Sequence, residues 1–316
     1  MLSYFLKRIA ISVAIIAVAI VLLFGMIYVI PGDPVSVALG PRASPEVIAS
    51  FRARMGLDLP IYVQLLRFLG QILRGDLGTD VMTNRSVALT IMEVLPYTLG
   101  LIVGAMSWSI LLGIPLGCFA AIRRNSLLDR ITGVFSVATI TVPSFVVAVY
   151  SLLAFAVWLG WFPVIGAGER GDLGDELWHL VLPSFAVGLG WVGYIARMVR
   201  ASMLEVLSEN HIRMARAFGL PERMITYRYA LRLAILPTLT ILGIGIGNLL
   251  SSAVFAEIVF ARPGVGKLVY DAIIARNYPL VTGTILVTTA FYVLANLVTD
   301  LIVAGLDPRV RESLAR

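Results

Sequence analysis

Residues 9–30 read IAISVAIIAVAIVLLFGMIYVI and contain no charged side chain. About 20 mostly apolar residues are enough to cross the hydrocarbon core of a bilayer as a helix. The run is longer than the roughly 7–15 apolar residues of a secretion signal, and the PGDP that follows at residues 31–34 is a poor cleavage site. The stretch therefore predicts a membrane-spanning helix that is retained in the protein.

The composition of the whole chain agrees with this prediction. Hydrophobic residues make up 59% and charged residues 14% of the 316 residues, whereas soluble domains have roughly 45–50% and about 25%. A soluble protein could not bury so much apolar surface, and a disordered chain would need more charge. The single cysteine, Cys118, excludes a disulfide scaffold. We therefore predict an all-α, polytopic membrane protein.

Six segments are long and apolar enough to be candidates for membrane spans. They are residues 9–30, 96–121, 133–159, 181–195, 233–256 and 280–304. The fourth segment is short and rich in glycine, so flanking residues are expected to lengthen it. Pro143 and Pro183 lie within the third and fourth segments, and we expect them to kink these helices.

Arginine and lysine residues predict the direction of the chain, because short cytoplasmic loops are enriched in them. Seven arginines lie between the fourth and fifth segments. With a cytoplasmic N-terminus, the two short outside loops hold only Arg170, Arg262, Lys267 and Arg276. Both termini are then cytoplasmic. The net charge of +6 is interpreted as an orientation signal and not as a sign of nucleic-acid binding.

The predicted organisation has three parts. They are a cytoplasmic tip with the first helix in 1–30, an extracytoplasmic helical excursion in 31–95, and a five-helix core in 96–316 with a cytoplasmic loop at 201–232. In the excursion, Ser44, Pro45 and Glu46 are typical of a helix start. A second apolar stripe follows Pro60. Packing against the bundle and contact with an outside partner would both explain these helices.

The outside loop 160–180 is rich in acidic residues. They are Glu169, Asp172, Asp175 and Glu176. Such a run usually forms a solvated face. It could also help to dock a basic partner or recruit cationic substrates.

The segment between the fourth and fifth spans predicts a helix and a sharp turn. The fourth helix is expected to continue to Leu207, and the Ala/Arg-rich residues 213–217 favour a short helix. Gly219 is suited to a positive φ at the end of that helix, and Pro221 prevents direct continuation.

A second helix is expected from Glu222 to about Arg232. The resulting helix–turn–helix is too small to be an enzyme. It is well suited to fit a groove on another protein.

Common catalytic and nucleotide-binding motifs fail their context tests. GLGWVG at 188–193 matches a dinucleotide-binding pattern but lies inside a span, and GVGK at 264–267 lacks the other residues of a phosphate loop. The only histidines are His179 and His211, and no HExxH or GxSxG pattern occurs. No metal or nucleotide site is predicted in this chain.

Polar residues inside or next to the spans are candidates for a solute pathway. The candidates are Asn248, Ser251, Ser252 and Glu257. Glu257, at the end of the fifth span, is expected to lie near water. Asn296 and Asp300 share one face of the sixth helix, where a structural bond to a neighbouring helix and a role in the pathway are both open.

A series of short motifs runs along nearly the whole chain. They are PGDP at 31–34, LDLP at 57–60 followed by Gln64, GDLG at 75–78, IRMARAFGL at 212–220, FARPGVG at 260–266 and DPRVR at 307–311. In this order, they resemble the inner-membrane permease subunits of bacterial ATP-binding-cassette importers of the dipeptide/oligopeptide/nickel type. Within that group the chain resembles the first, B-type permease of peptide importers.

The resemblance implies a type I ABC-importer permease fold of about six helices in the bacterial inner membrane. The implied partners are a second, similar permease, two cytoplasmic ATPases, an extracytoplasmic binding protein and membrane lipid. ATP and magnesium would bind to the ATPases, so this chain would hold no cofactor and would have no catalytic activity of its own.

The resemblance also implies which residues couple to the ATPases. They are His211, Arg213, Ala215, Arg216, Ala217, Gly219 and Leu220. The general importer consensus begins this loop with Glu-Ala-Ala, whereas this chain has Arg213, Met214 and Ala215. Arg213 or Arg216 would therefore need an acidic partner.

Two other classes of membrane protein remain as alternatives. A self-sufficient secondary transporter or channel would hold its pathway within one chain, and the inverted repeats common in such folds are not evident. An intramembrane hydrolase would need a nucleophile–base pair, for which neither the two histidines nor the two lysines lie centrally in a span. Dipeptides, longer peptides, glutathione-like thiols, nickel chelates and opine-like compounds all fit the resemblance.

Overall fold

The computed structural model of the protein describes residues 2–29, 44–46, 49 and 58–306. These residues form α-helices and contain no β-strand. The helices are α1 Leu2–Val29, α2 Ile61–Leu73, α3 Val87–Ile122, α4 Leu127–Thr141, α5 Ser144–Ser151, α6 Leu173–Leu207, α7 Asn210–Ala217, α8 Glu222–Met224, α9 Leu231–Val259, α10 Val265–Ile274 and α11 Tyr278–Leu306. Two π-helical segments, Leu152–Trp158 and Ile225–Ala230, extend α5 and join α8 to α9. The all-α prediction is confirmed.

The described helices contain between four and six candidate membrane spans. Four helices pass by length and composition alone: Leu6–Gly25, Val87–Ile122, Leu173–Leu207 and Tyr278–Thr299. Two bent pairs add one span each if each pair crosses as a unit: Leu127–Thr141 with Ser144–Trp158, and Glu222–Gly243 with Gly245–Val259. The six spans predicted from the sequence correspond to the upper end of this range.

The third predicted span is broken at Pro143. Helix α4 ends at Thr141, Val142 is extended with ψ 121°, and Pro143 becomes the N-cap of α5. Proline has no N–H to continue the helical ladder, and it disfavours helical backbone in the preceding residue. The two halves are bent by 98°. Pro183, in contrast, lies within the uninterrupted helix α6.

Helix α6 is much longer than the apolar segment 181–195 from which it was predicted. It begins at Leu173, where the Asp172 side chain accepts hydrogen bonds from the N–H groups of Gly174 and Asp175 at 2.9 and 3.2 Å. It continues through a polar end to Leu207, as predicted for that end. An apolar window detects only the middle of such a helix, because capped polar turns extend it at both ends.

The chain divides into two compact units. Of the described residues, one unit holds 97–263 and 298–306, and the other holds those between 2 and 96 together with 264–297. In the first unit, α6 packs against α4, α5 and α9. Its core is built from small and aliphatic side chains, including Leu101, Ala105, Ala186, Val187 and Leu249.

In the second unit, α2 packs on α1 as the apolar stripe after Pro60 predicts. Phe68, Leu69 and Ile72 contact the cluster that contains Ile20 and Leu23. The helix predicted to start at Ser44 falls mostly outside the described residues.

A buried carboxylate holds the turn between α2 and α3. Asp80 accepts hydrogen bonds from the N–H of Met82 at 2.8 Å, from the hydroxyl of Thr83 at 2.6 Å and from the side-chain amide of Asn277. Burial tends to raise the pKa of Asp80, but these hydrogen bonds outweigh it and lower that pKa below its ordinary value. The turn therefore keeps a charged, fully bonded carboxylate in its centre.

Glycines on α3 allow its backbone to approach α6. A Cβ on Gly117 would collide with the carbonyl oxygen of Ala196, and one on Gly113 would lie 3.0 Å from the carbonyl oxygen of Val192. Small residues of this kind are the usual means of close helix packing in membranes, where apolar surface gains nothing by leaving lipid.

We predict that Gly117→Ala lowers the stability of the folded protein by about 1–3 kcal/mol, because the added methyl group meets backbone that cannot rotate away. The measurement is thermal unfolding of the purified protein in detergent. The matched control is Gly100→Ala in the same helix, where nothing lies within 4 Å of the added Cβ. Equal unfolding midpoints for the two variants would contradict the packing described here.

Candidate functional site

The first candidate site is the connection between α6 and α9. Helix α7 ends at Ala217, and Gly219 has φ +76°. The N–H of Gly219 bonds to the carbonyl of Arg216 at 2.9 Å, and the N–H of Leu220 bonds to that of Ala215 at 3.2 Å. This is the glycine-terminated helix end that the sequence predicts.

The predicted second helix does not end near Arg232. Helix α8 begins after Pro221 and continues through the π-helical segment Ile225–Ala230 into α9. The predicted end was wrong because it was placed at the last arginine before the apolar segment. A charged residue does not by itself terminate a helix. The segment after Gly219 is thus the beginning of the span itself.

One face of α7 is buried in the protein's own core. Ile212 is 0% and Ala215 8% exposed, and both belong to a cluster with Met203 and Val206 of α6 and Ile225 of the π-helical segment. Ala215, predicted to contact an ATPase, therefore faces inward. Any movement of α7 is passed to α6 and to the start of α9 through these contacts.

The opposite face of α7 is exposed and carries both apolar and basic side chains. Its residues are His211, Arg213, Met214, Arg216, Ala217 and Phe218. Met214 is 57% and Phe218 79% exposed. Exposed apolar side chains beside arginines are typical of a protein-binding surface, where such residues supply much of the binding energy. We call these six residues the outward face of α7.

The charges of this region are partly paired within the chain. Arg216 donates to Glu222 across the Gly219 turn at 2.7 Å, and this hydrogen bond raises the pKa of Arg216. Glu222 is thus the acidic partner that the sequence left unassigned. Arg213 donates to the carbonyl of Ser208 at 3.3 Å, and His211 lies 3.0 Å from Glu209. Because the Arg216–Glu222 pair is exposed, it orients the arginine more than it stabilises the fold.

The second candidate site is a cavity of about 420 Å³ in the first unit. The break at Pro143 forms one wall, and α6 and α9 form the others. The polar and aromatic residues of its lining are Thr139, Ser144, Trp191, Tyr194, Asn248 and Ser252. None of the residues that line it is charged.

Two of the four pathway candidates line this cavity, and two do not. Asn248 and Ser252 are part of the wall. Ser251 is exposed and donates to the carbonyl of Gly247 at 3.3 Å. Most of the other lining residues were missed because they come from α4, α5 and α6. The helix break at Pro143 was a signal that could have pointed to Thr139 and Ser144.

Glu257 does not lie near water as expected. Its exposed fraction is 0%, and its carboxylate accepts a hydrogen bond from the Thr98 hydroxyl at 2.6 Å. Burial lowers the pKa of the nearby Arg262, and the charge of Glu257 partly opposes this. The expectation failed because the sequence shows that Glu257 lies at the end of an apolar segment but does not show whether neighbouring residues cover its side chain. The side chain of Asp300, the remaining candidate, lies outside the described residues.

The acidic residues of loop 160–180 are mostly used by the loop itself. Asp175 accepts from the N–H of Glu169 at 2.7 Å, and Glu176 accepts from that of Gly171 at 3.2 Å. Asp172 caps α6. The run is therefore neither a purely solvated face nor a free acidic surface, because three of its four carboxylates fold the loop.

Within the described part of the chain, no three or more His, Cys, Asp or Glu residues are grouped as metal ligands would be.

Comparison with known proteins identifies related chains along the whole length. The family of binding-protein-dependent transport system inner membrane components matches residues 113–312, and the N-terminal family of the same membrane components matches residues 1–102. The glutathione transport system permease protein GsiC of Salmonella paratyphi A is 35% identical over 311 residues, which are 98% of this chain and 99% of the relative. The dipeptide transport system permease protein DppB of Alkalihalophilus pseudofirmus is 33% identical over 332 residues, 98% of this chain and 100% of the relative.

A solved structure shares the fold. It describes inward-facing conformations of the MetNI methionine ABC transporter, and one of its chains superposes with a TM-score of 0.56 at 18% identity. The match covers 69% of this chain and 97% of that chain. At this identity the likeness supports the predicted type I permease architecture and nothing about solute.

Proposed function

The chain belongs to the family of binding-protein-dependent transport system inner membrane components, and on that premise we propose that it pairs with a second, similar permease to form a solute passage. It is a permease subunit of an ATP-binding-cassette importer, and it is a multi-pass inner membrane protein. The observation that carries this conclusion is the match over 98% of the chain to transport permeases.

In the proposed assembly, two ATPases bind ATP and magnesium, and each permease seats one short helix on an ATPase. The outward face of α7 supports this role, because Met214 and Phe218 offer apolar anchors and Arg213 and Arg216 offer charge. Closure of the ATPases on ATP would push α7. Since Ile212 and Ala215 are packed against α6 and the start of α9, the push would tilt these helices as rigid bodies. This chain itself hydrolyses no ATP.

The proposed solutes are small peptides, including dipeptides and glutathione, delivered by an extracytoplasmic binding protein. The names of the related permeases support this class. The cavity beside Pro143 supports a passage for such solutes, because its uncharged polar lining offers hydrogen bonds and does not select one net charge. Asn248 and Ser252 would contact the solute there, and Glu257 would not.

The proposed orientation places both termini in the cytoplasm. The arginines between α6 and α9 support this orientation, because short cytoplasmic loops are enriched in arginine and lysine. The same orientation places α7 on the side of the ATPases. The loop before α6 and the turn that follows α9 are extracytoplasmic in this orientation.

The function is tested by uptake into proteoliposomes. The chain is purified with its partner subunits from its native host, and radiolabelled dialanine and glutathione are supplied with the binding proteins of the same cells. We expect uptake of at least one solute that requires both a binding protein and ATP, and no uptake with a non-hydrolysable ATP analogue. Uptake by vesicles that contain this chain alone would contradict the proposal and favour a self-sufficient transporter. ATP hydrolysis by the chain alone would also contradict the proposal.

The cavity is tested in the same assay with two neighbouring serines. Ser252→Leu places a larger apolar side chain at the lining, and we expect the uptake rate to fall about tenfold, an activation cost of about 1.4 kcal/mol. Ser251→Leu is the matched control, because Ser251 is exposed outside the cavity, and uptake is expected to stay near the wild-type rate. Equal effects of the two substitutions would show that the cavity is not on the path of the solute.

A further inference from the structure

The ring of Tyr97 is shared by two arginines from different parts of the chain. The guanidinium carbon of Arg262 lies 5.6 Å from the ring centroid, and that of Arg170 lies 5.9 Å from it. The Arg170 side chain also donates a hydrogen bond to the Tyr97 hydroxyl at 2.9 Å. Both distances are within the range in which an aromatic ring attracts a cation.

Each arginine belongs to a different structural element. Arg170 is exposed and lies in the loop of residues 159–172, between the π-helical segment and α6. Arg262 is 4% exposed and lies in the turn that follows α9, where its N–H bonds to the carbonyl of Glu257 at 2.9 Å. Tyr97 is part of α3. The three side chains therefore connect a surface loop with the end of the fifth span.

The 159–172 loop is held in a defined conformation against the first turn of α6. Carboxylates of Asp175 and Glu176 bind its own N–H groups, and Gly166, Gly168 and Gly171 take positive φ values that other residues rarely adopt. The N–H of Gly166 bonds to the carbonyl of Phe260 at 2.9 Å, which gives the loop a second contact with the end of α9. The loop therefore contacts both Tyr97, through Arg170, and the end of α9, through Gly166.

Arg262 is held by charge and by the ring more than by hydrogen bonds. Its Nε and Nη1 atoms are buried without a hydrogen-bond partner in the described structure. Burial lowers the pKa of Arg262, and the nearby charges of Glu257 and Glu176 partly oppose this. A buried guanidinium with unmet donors costs free energy, so small changes around the ring can move it.

We propose that Tyr97 is a positioning residue that transmits the docking of the extracytoplasmic binding protein from Arg170 to Arg262 and the end of α9. The two guanidinium groups repel each other and share one ring, so each weakens the hold of the ring on the other. A binding protein that draws Arg170 away leaves the ring to Arg262 alone. The end of α9 then shifts towards Tyr97. This inference rests on the proposed function, which places the 159–172 loop on the extracytoplasmic side of the membrane.

The test measures ATP hydrolysis by the complete reconstituted complex with and without the solute-loaded binding protein that supports uptake by the wild-type complex. Tyr97→Leu removes the ring and the hydroxyl. We expect the ratio of stimulated to basal hydrolysis to fall about fivefold, in line with the loss of cation–π contacts. Tyr97→Phe keeps the ring and is expected to restore at least half of the ratio. Tyr150→Leu, at a tyrosine that is 69% exposed on α5, is the matched control with an unchanged ratio.

A wild-type ratio in Tyr97→Leu would overturn the inference, as would an equal loss of basal and stimulated hydrolysis, which indicates a structural role only. If Tyr97→Leu does not assemble, Arg170→Gln decides the question, because this exposed substitution removes the outer cation and is expected to lower the same ratio. An unchanged ratio in Arg170→Gln would then reject the inference. Absence of stimulation in the wild-type complex would instead reject the proposed function.

Discussion

Close packing of α6 against its neighbours is the constraint on which the first unit depends. In a bilayer, helices gain little by burying apolar side chains from lipid, so they are held by near contact of backbones and by a few polar bonds. Gly188 allows α6 to approach α3, since a Cβ there would lie 2.7 Å from the carbonyl oxygen of Ala105. The Ser109 hydroxyl, which bonds the carbonyl of Gly188 at 2.8 Å, secures the same crossing. On another face, Gly193 allows a similar approach to α4, where a Cβ would lie 2.8 Å from the carbonyl of Ser136.

The length of α6 gives this packing a functional consequence. Its first turn is capped by Asp172 at the end of the 159–172 loop, and its last turn leads into α7. Between them it forms one wall of the cavity that contains Asn248 and Ser252. A single rigid element thus connects the proposed docking loop, the proposed passage and the proposed ATPase contact, and this connection allows force applied at α7 to change the cavity.

The sequence predicted the features that depend on local chemistry. Apolar length located the spans, Pro143 predicted a kink, and Gly219 predicted the positive φ that ends α7. Features that depend on how several helices meet were not accessible in this way. The burial of Glu257 results from Thr98 on another helix and from the following turn, and the lining of the cavity comes from four helices.

The identity of charge partners was similarly out of reach. The sequence indicated that Arg213 or Arg216 would need an acid, but only the turn at Gly219 brings Glu222 within 2.7 Å of Arg216. In the acidic loop, the sequence suggested carboxylates that were free to dock a partner. In the structure, Asp175 and Glu176 instead accept hydrogen bonds from backbone N–H groups of the loop. Both examples reflect hydrogen bonds whose partners are set by backbone geometry and not by residue type.

In the proposed assembly the outward face of α7 receives the force of the ATPases, and cysteine crosslinking in the assembled complex can detect this contact. After the buried native Cys118 is replaced by serine, single cysteines are placed at Phe218 on the outward face and at Leu173, which is 73% exposed at the start of α6. We expect an oxidative crosslink from Phe218→Cys to a cysteine in the ATPase groove, with a yield that changes when ATP is added, and none from Leu173→Cys. No crosslink from Phe218→Cys in an intact, transport-active complex would show that the ATPases do not bind this face.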